Sequence, residues 1–229
     1  MMHIKNLTII KWLALVLMVG DHVNKYLLND TVPFLYNVGR IAMPLFCFVL
    51  ASNLARSGNR ENGTYLRVAA RLTIFALFAT PAYIALGGIL YGWWPLNILY
   101  TLLAVTLICY CLENNEPRSH IYALLIFVVA GSAVEFWWPA IAMAVSLWLY
   151  LKTTRTRYAL VALLCCASLA TVNHNFYALL AVPIVIVLGR VSLPLPRMKW
   201  FFYAFYPLHL YLIVLLRMYL SRQGYLFFT

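Results

Sequence analysis

The sequence predicts an all-α polytopic membrane protein with about nine transmembrane helices and a cytoplasmic N-terminus. Three observations carry that expectation. Of the 229 residues, 65% are hydrophobic and only 10% are charged, whereas soluble domains carry about 25% charged residues. Apolar runs near the ~20-residue length that crosses a bilayer tile the chain, leaving a single domain over residues 1–229. Basic residues fall in alternate loops, as the cytoplasmic excess of Lys and Arg in membrane proteins requires.

The first span, roughly 7–28, follows the basic stretch "MMHIKNLTIIKW" and ends at "GDHVNK". No small-residue cleavage site follows it, so it is expected to remain as a signal anchor. The next spans lie at roughly 37–55, 66–88, 95–112, 119–134, 136–151, 157–172, 175–190 and 200–220. The inner loops then hold Lys5 and Lys11; Arg56, Arg60 and Arg67; Arg118; Lys152, Arg155 and Arg157; and Arg190, Arg197 and Lys199. The outer loops "NDTVPFLYNVGR", "GGILYGWWP", "EFWWP" and "TVNHNF" are nearly free of Lys and Arg. Merging the fifth and sixth spans across "EFWWPA" would spoil this alternation, so they are kept apart. Trp93, Trp94, Trp137 and Trp138 then form an aromatic belt at the outer interface. Pro44, Pro81, Pro183 and Pro207 fall inside spans and are expected to kink them.

Net charge is +11, from 17 Lys and Arg against 6 Asp and Glu. In loops between membrane spans such charge points to anionic membrane lipid as the partner and not to nucleic acid. Cys47, Cys109, Cys111, Cys165 and Cys166 lie in apolar segments, without a C-x-x-C pair or a histidine at ligand spacing. No disulfide and no metal are expected. The sequons Asn6-Leu7-Thr8 and Asn62-Gly63-Thr64 fall in cytoplasmic loops and do not indicate glycosylation.

Ionisable residues at membrane depth mark functional sites or satisfied interior pairs. Asp21 and His22 end the apolar run "LVLMVG". At ~1.5 Å per residue, His22 stands about 23 Å above residue 7, and Lys11 shares its face about 16 Å below. That stripe suits an acyl donor from the cytoplasm: the cation holds coenzyme A phosphates, the pantetheine arm runs along the helix, and His22 acts as general base. Lys11 as an interfacial anchor and His22 as a satisfied polar neighbour explain the same residues. Asp21 faces Lys25 at i+4, with Arg40 as its other candidate partner. Arg56 closes the second span, and Arg67 and Arg71, at i and i+4, can clamp a phosphate or serve as snorkelling anchors. Asn97 is placed to cap the fourth helix. His209 lies deep in the last span, two residues after Pro207. Asn173, His174 and Asn175 fit an exposed outer loop.

"KWLALVLMVGDH", "GRIAMPLFCFVLASNLAR", "LNILYTLL" and "FYAFYPLHL" occur in that order. Together they resemble the TraX family, the membrane acetylases of conjugative pilins. Lys11 and His22 also fit the basic-x10-His pattern of the wider superfamily of membrane acyltransferases. The resemblance implies transfer of an acetyl group from acetyl-CoA to the N-terminal amine of a pilin subunit, in the bacterial inner membrane. It places Asp21 and His22 in the D-H pair, Arg40 in the G-R motif, Asn97 in the N-I-L motif and His209 as the final histidine. Met43 stands where an aromatic is expected. His22 and Asp21 become the catalytic candidates, Lys11, Arg56, Arg67 and Arg71 the donor-binding ones, and Arg40, Asn97 and His209 position the site. O-acetylation of a surface glycan uses the same donor and site. A transporter with His22 and His209 as a proton relay calls for inverted repeats, and none is evident. A non-enzymatic assembly factor for conjugation is the third class.

Overall fold

The computed structural model describes residues 7–88, 90–114, 116–191, 194, 196 and 198–227. Lys5, Asn6 and Arg197, together with the Lys199 side chain, lie outside the described residues. Helix occupies each of the nine predicted segments, and the described residues form no strand beyond an isolated Leu96–Val134 bridge. In order these are α1 (Leu7–Leu27), α2 (Pro33–Gly39), α3 (Ala42–Leu54), α4 (Thr64–Ala85), α5 (Ile98–Glu113), α6 (Pro117–Ala133), α7 (Trp137–Thr153), α8 (Thr156–Ser168), α9 (Ala170–Asn173), a 3-10 turn (Tyr177–Leu180), α10 (Ala181–Leu188) and α11 (Lys199–Arg222).

Among the described residues, five stretches are long and apolar enough to cross a membrane: Leu7–Leu27, Pro33–Leu54, Thr64–Ala85, Thr156–Asn173 and Trp200–Arg222. The predicted eighth span holds only the short helical stretch Tyr177–Leu188, and the fourth, fifth and sixth hold α5, α6 and α7, of 16, 17 and 17 residues. At ~1.5 Å per residue these three reach about 24–26 Å, somewhat less than the ~30 Å hydrocarbon core. The chain is a membrane protein whose helices differ in length.

Prolines account for two of the breaks. Pro44 has no N–H to offer the Arg40 carbonyl four residues earlier, and the helix tightens there. Arg40 N–H and Ile41 N–H donate to Asn37 and Val38, three residues back, before regular α-helical bonding resumes. Pro183 likewise cannot serve the Leu179 carbonyl, and a 3-10 turn precedes α10.

Contacts fix the helix directions. Trp12 meets Phe201 and Phe202, and His22 meets His209, so α1 and α11 run parallel. Phe75 packs on Tyr203 and Phe78 on Tyr211, so α4 runs the same way. Tyr65 of α4 reaches Glu113 of α5 and Lys152 of α7 reaches the same carboxylate, placing the ends of α5 and α7 beside the start of α4. The molecule therefore has two poles. Lys11, Arg56, Arg67 and Arg71 share one, with Lys152. Asp21, Arg40 and Glu135 share the other, with Trp94 against Trp137. Arg217 and Arg222, at the far end of α11, belong to the second pole, which therefore carries more cations than its loops alone suggested.

Three buried apolar clusters hold the bundle. One joins α3, α5, α6, α7 and α8; one joins α1, α4, α5 and α11; a third joins α1, α3 and α10. At the basic pole the first is closed by a polar knot, in which Lys152 Nζ donates to Glu113 Oε1 at 2.6 Å and Trp148 Nε1 donates to the Tyr65 hydroxyl at 3.1 Å. Outer faces expose Leu124, Val129, Leu160 and Leu164, surface that lipid covers.

Candidate functional site

At the second pole a cavity of 30 Å³ lies among α1, the α2–α3 break, the start of α5, the α6–α7 turn and α11. Asp21, His22, Gly39, Arg40, Glu135 and Tyr206 line it. The space is that of one or two waters.

The tight turn made by Pro44 aims Arg40 at α1. Arg40 pairs with Asp21 Oδ1, and the two side chains are 14% and 15% exposed. Arg40 Nε also donates to the Tyr36 carbonyl at 3.2 Å, and its guanidinium lies 4.4 Å from the Tyr36 ring centroid. Of the two candidate partners for Asp21, the ion pair goes to Arg40. Lys25 donates instead to the Gly88 carbonyl at 3.1 Å and covers Tyr26. The approach of α2 to α1 needs a glycine at 39, because a Cβ there would lie 2.5 Å from Asp21 Cβ.

His22 Nδ1 lies 2.7 Å from His209 Nε2, with the rings 10° from parallel. Pro207 precedes His209 by two residues, and His209 Nδ1 reaches the Phe205 carbonyl at 3.0 Å. A carbonyl can only accept, so His209 Nδ1 carries the proton. With both rings neutral, His209 Nε2 is then an acceptor and His22 Nδ1–H donates to it. The lone pair of His22 is left on Nε2. His209 thus orients His22 and fixes its tautomer, as the aspartate of a Ser-His-Asp triad does for its histidine. Tyr26 and Tyr206 flank His22 edge-on at 5.7 and 6.3 Å between ring centroids.

Sequence reasoning missed Glu135. Read as part of an interfacial loop, its side chain instead lines the cavity. Its backbone is held on both sides: Glu135 N–H donates to Leu96 O at 2.9 Å, and Thr101 Oγ1 donates to Glu135 O at 2.9 Å. The next two residues, Phe136 and Trp137, have left-handed φ of 63° and 51°. Such backbone in non-glycine residues costs about 1–3 kcal/mol each and persists where the surroundings over-determine it. Here Trp138 fills the space above Gly131, which admits no Cβ. Burial pushes the Glu135 carboxyl up to about 7, against the pull of Lys25 and Arg40. The available signal was that only 6 acidic residues occur in the chain and this one interrupts two apolar spans.

Other expected residues lie apart from the cavity lining. Asn97 is buried and caps α5, accepting from Leu99 N–H at 3.1 Å, while its amide donates to Ala76 O at 3.3 Å. It ties α4 to α5 beside Ile98, a lining residue. Lys11 and His22 do share a face of α1, both turned toward α11: Lys11 Nζ lies 5.5 Å from the Phe202 ring centroid. Arg56 is within electrostatic range of Lys11. Arg67 and Arg71 are engaged separately, Arg67 with Thr64 Oγ1 at 3.3 Å and Arg71 on Trp200 and Tyr203 at 4.6 and 6.0 Å. The expected exposed loop at 173–175 is only partly so. Asn173 is wholly buried and Asn175 donates to Asn37 Oδ1 at 3.1 Å, because α9 carries the segment onto α2; His174 is exposed.

The site thus combines an imidazole with a directed lone pair, a carboxylate and a carboxylate–guanidinium pair, and the opposite pole supplies cations among aromatic rings. Such an arrangement suits proton removal from a nucleophile near a polarised acyl group. A family model described as TraX protein matches residues 6–217. Neither the curated proteins nor the solved structures contain a match to the chain.

Proposed function

The chain belongs to the TraX family, and from that premise we propose that it is an acetyl-CoA-dependent N-acetyltransferase acting on the N-terminal amine of a conjugative pilin subunit. It works in the bacterial inner membrane, with nine crossings and a cytoplasmic N-terminus. The observation that carries the reading is the histidine pair, in which His209 fixes the lone pair of His22 on Nε2 while His22 lines the cavity.

Coenzyme A phosphates bind at the basic pole, through Lys11, Arg56, Arg67 and Arg71, and guanidinium forks suit them. The thioester reaches the cavity along the α1–α11 seam. The acceptor amine arrives from the other pole and attacks the thioester carbonyl carbon. His22 Nε2 takes an amine proton as the C–N bond forms. The C–S bond then breaks, its electron pair leaves with sulfur, and His22 returns the proton to the thiolate. Arg40, held by Asp21 and Tyr36, favours the negative charge that develops on the carbonyl oxygen. No serine or cysteine lines the cavity, which supports direct transfer without an acyl-enzyme.

Mass spectrometry of pilin N-termini from cells with and without this gene tests the assignment. Acetylated termini that depend on the gene are expected; unchanged termini contradict it.

A further inference from the structure

We infer that Glu135 is the group that binds the acceptor's ammonium, so that the cavity selects an amine over a hydroxyl. The inference rests on the acetyltransferase reading above and deepens it by naming what the acceptor must present.

Four observations point the same way. Glu135 has no ion-pair partner among the described residues: the pairs there are Arg40–Asp21 and Lys152–Glu113. The two cations in electrostatic range of it also serve other groups, Arg40 serving Asp21 and Tyr36, and Lys25 the Gly88 carbonyl. A carboxylate so placed is incompletely compensated until a cation joins it. Second, the cavity of 30 Å³ has the size of an ammonium head group, and Glu135 is on its wall. Third, the Tyr83 hydroxyl is buried without a hydrogen-bond partner and lies in electrostatic range of Glu135. Buried polar groups are rarely left so unless a ligand or water serves them. Fourth, the backbone of Glu135 is pinned by Leu96 and Thr101, so its position is set before any ligand arrives.

Proton accounting favours the amine as well. An alkylammonium must lose two protons on the way to an amide, whereas a hydroxyl loses one on the way to an ester. The cavity offers two bases. Glu135 takes the first proton and frees the amine lone pair, which attacks the thioester carbon. His22 takes the second and passes it to the departing thiolate, and Glu135 releases its proton to water. The sum is ammonium plus acetyl thioester giving amide, thiol and one proton.

The groups facing Glu135 are Asp21, His22, Lys25 and Tyr26 of α1, Arg40 at the α2–α3 break, Tyr83 of α4, the Ile98 amide of α5 and Tyr206 of α11. With its carboxyl near 7 and an α-amine near 8, ammonium binding should be strongest between those values. It weakens below them as Glu135 is protonated, and above them as the amine loses its charge.

The test uses full-length protein in nanodiscs and two fluorescent peptides of the processed pilin N-terminus, one with its free α-amine and one with a hydroxyl in its place. Binding of each, and its acetylation in the presence of acetyl-CoA, is measured with the wild type, Glu135→Gln and Glu135→Asp. The wild type should prefer the amine by about 10- to 100-fold, the worth of a charged hydrogen bond. Glu135→Gln should lose that preference and its acid limb while keeping acetyl-CoA affinity, and Glu135→Asp should retain part of it. If Glu135→Gln does not fold, the wild-type pH profile and Glu135→Asp decide the matter. Equal binding of the two peptides by the wild type, or a preference that survives Glu135→Gln, overturns the inference. An amine preference without acetyl transfer overturns the enzymatic reading and leaves the ammonium site standing. Transfer by a wild type that shows no amine preference does the reverse.

Discussion

At the scale of single residues, the site depends on a tautomer. His22 alone does not determine which of its nitrogens carries the lone pair; His209, tied to the Phe205 carbonyl, determines it. His209→Phe should therefore leave acetyl-CoA affinity unchanged and lower kcat by about 100-fold, the scale of a misplaced catalytic group. His209→Gln, whose amide can replace part of the contact, should lie between. Equal kcat in His209→Phe and wild type would show that the pair is packing only. Asp21 acts through Arg40, so Asp21→Asn should reduce kcat more than it changes the KM for donor. A loss of folding in that variant would assign the pair to stability, where breaking a buried ion pair costs about 3–5 kcal/mol. The two histidines stand 187 residues apart in the chain, and local sequence carries no record of their meeting. Asp21's choice of Arg40 over Lys25 was narrowed by chemistry to two options and settled by the Pro44 turn. Glu135 was hidden because a carboxylate among tryptophans reads as membrane interface, and only the fold turns it inward.

Elements carry these residues to their places through close helix contacts. Gly39 lets α2 lie against α1 directly over Asp21. Gly39→Ala should destabilise by about 1–3 kcal/mol through overpacking and lower acetyl transfer by displacing the Asp21–Arg40 pair. Gly20→Ala is the matched control, because its added Cβ would meet only Leu35 Cδ2 at 3.4 Å, an ordinary contact. Thermal unfolding and transfer rates of the two variants check this; similar losses in both would remove the special role of Gly39. Segment positions were legible because lipid imposes one length and one composition on any spanning helix. Every predicted segment holds helix. Less legible were the breaks at Arg40, at Leu169 and before α10. The first and last follow from prolines, whose position within a span was visible while the resulting turn was not. The burial of Asn173 depends on α9 docking onto α2, a contact that hydropathy does not encode.

Across the whole molecule, one pole gathers cations and aromatic rings and the other holds the His22–His209 pair and the buried carboxylates, so on the proposed function donor and acceptor are expected from opposite ends. Arg67→Ala with Arg71→Ala should raise the KM for acetyl-CoA more than it lowers kcat, because phosphate contacts are made equally in ground and transition states. Donor binding should weaken as salt rises past about 0.1 M, where the Debye length is about 10 Å. An unchanged KM, or donor binding insensitive to salt, would move the nucleotide away from this pole. The loop charges foretold this polarity, apart from Arg217 and Arg222, which the direction of α11 puts at the second pole. The central claim is that His22 is the base for acetyl transfer to an amine. Its most direct test reconstitutes wild type and His22→Ala in liposomes with acetyl-CoA and the processed pilin N-terminal peptide, and follows the peptide by intact mass. The wild type should add one acetyl group to the N-terminal amine, and His22→Ala should add none while still binding acetyl-CoA; near-normal acetylation by His22→Ala would contradict the account.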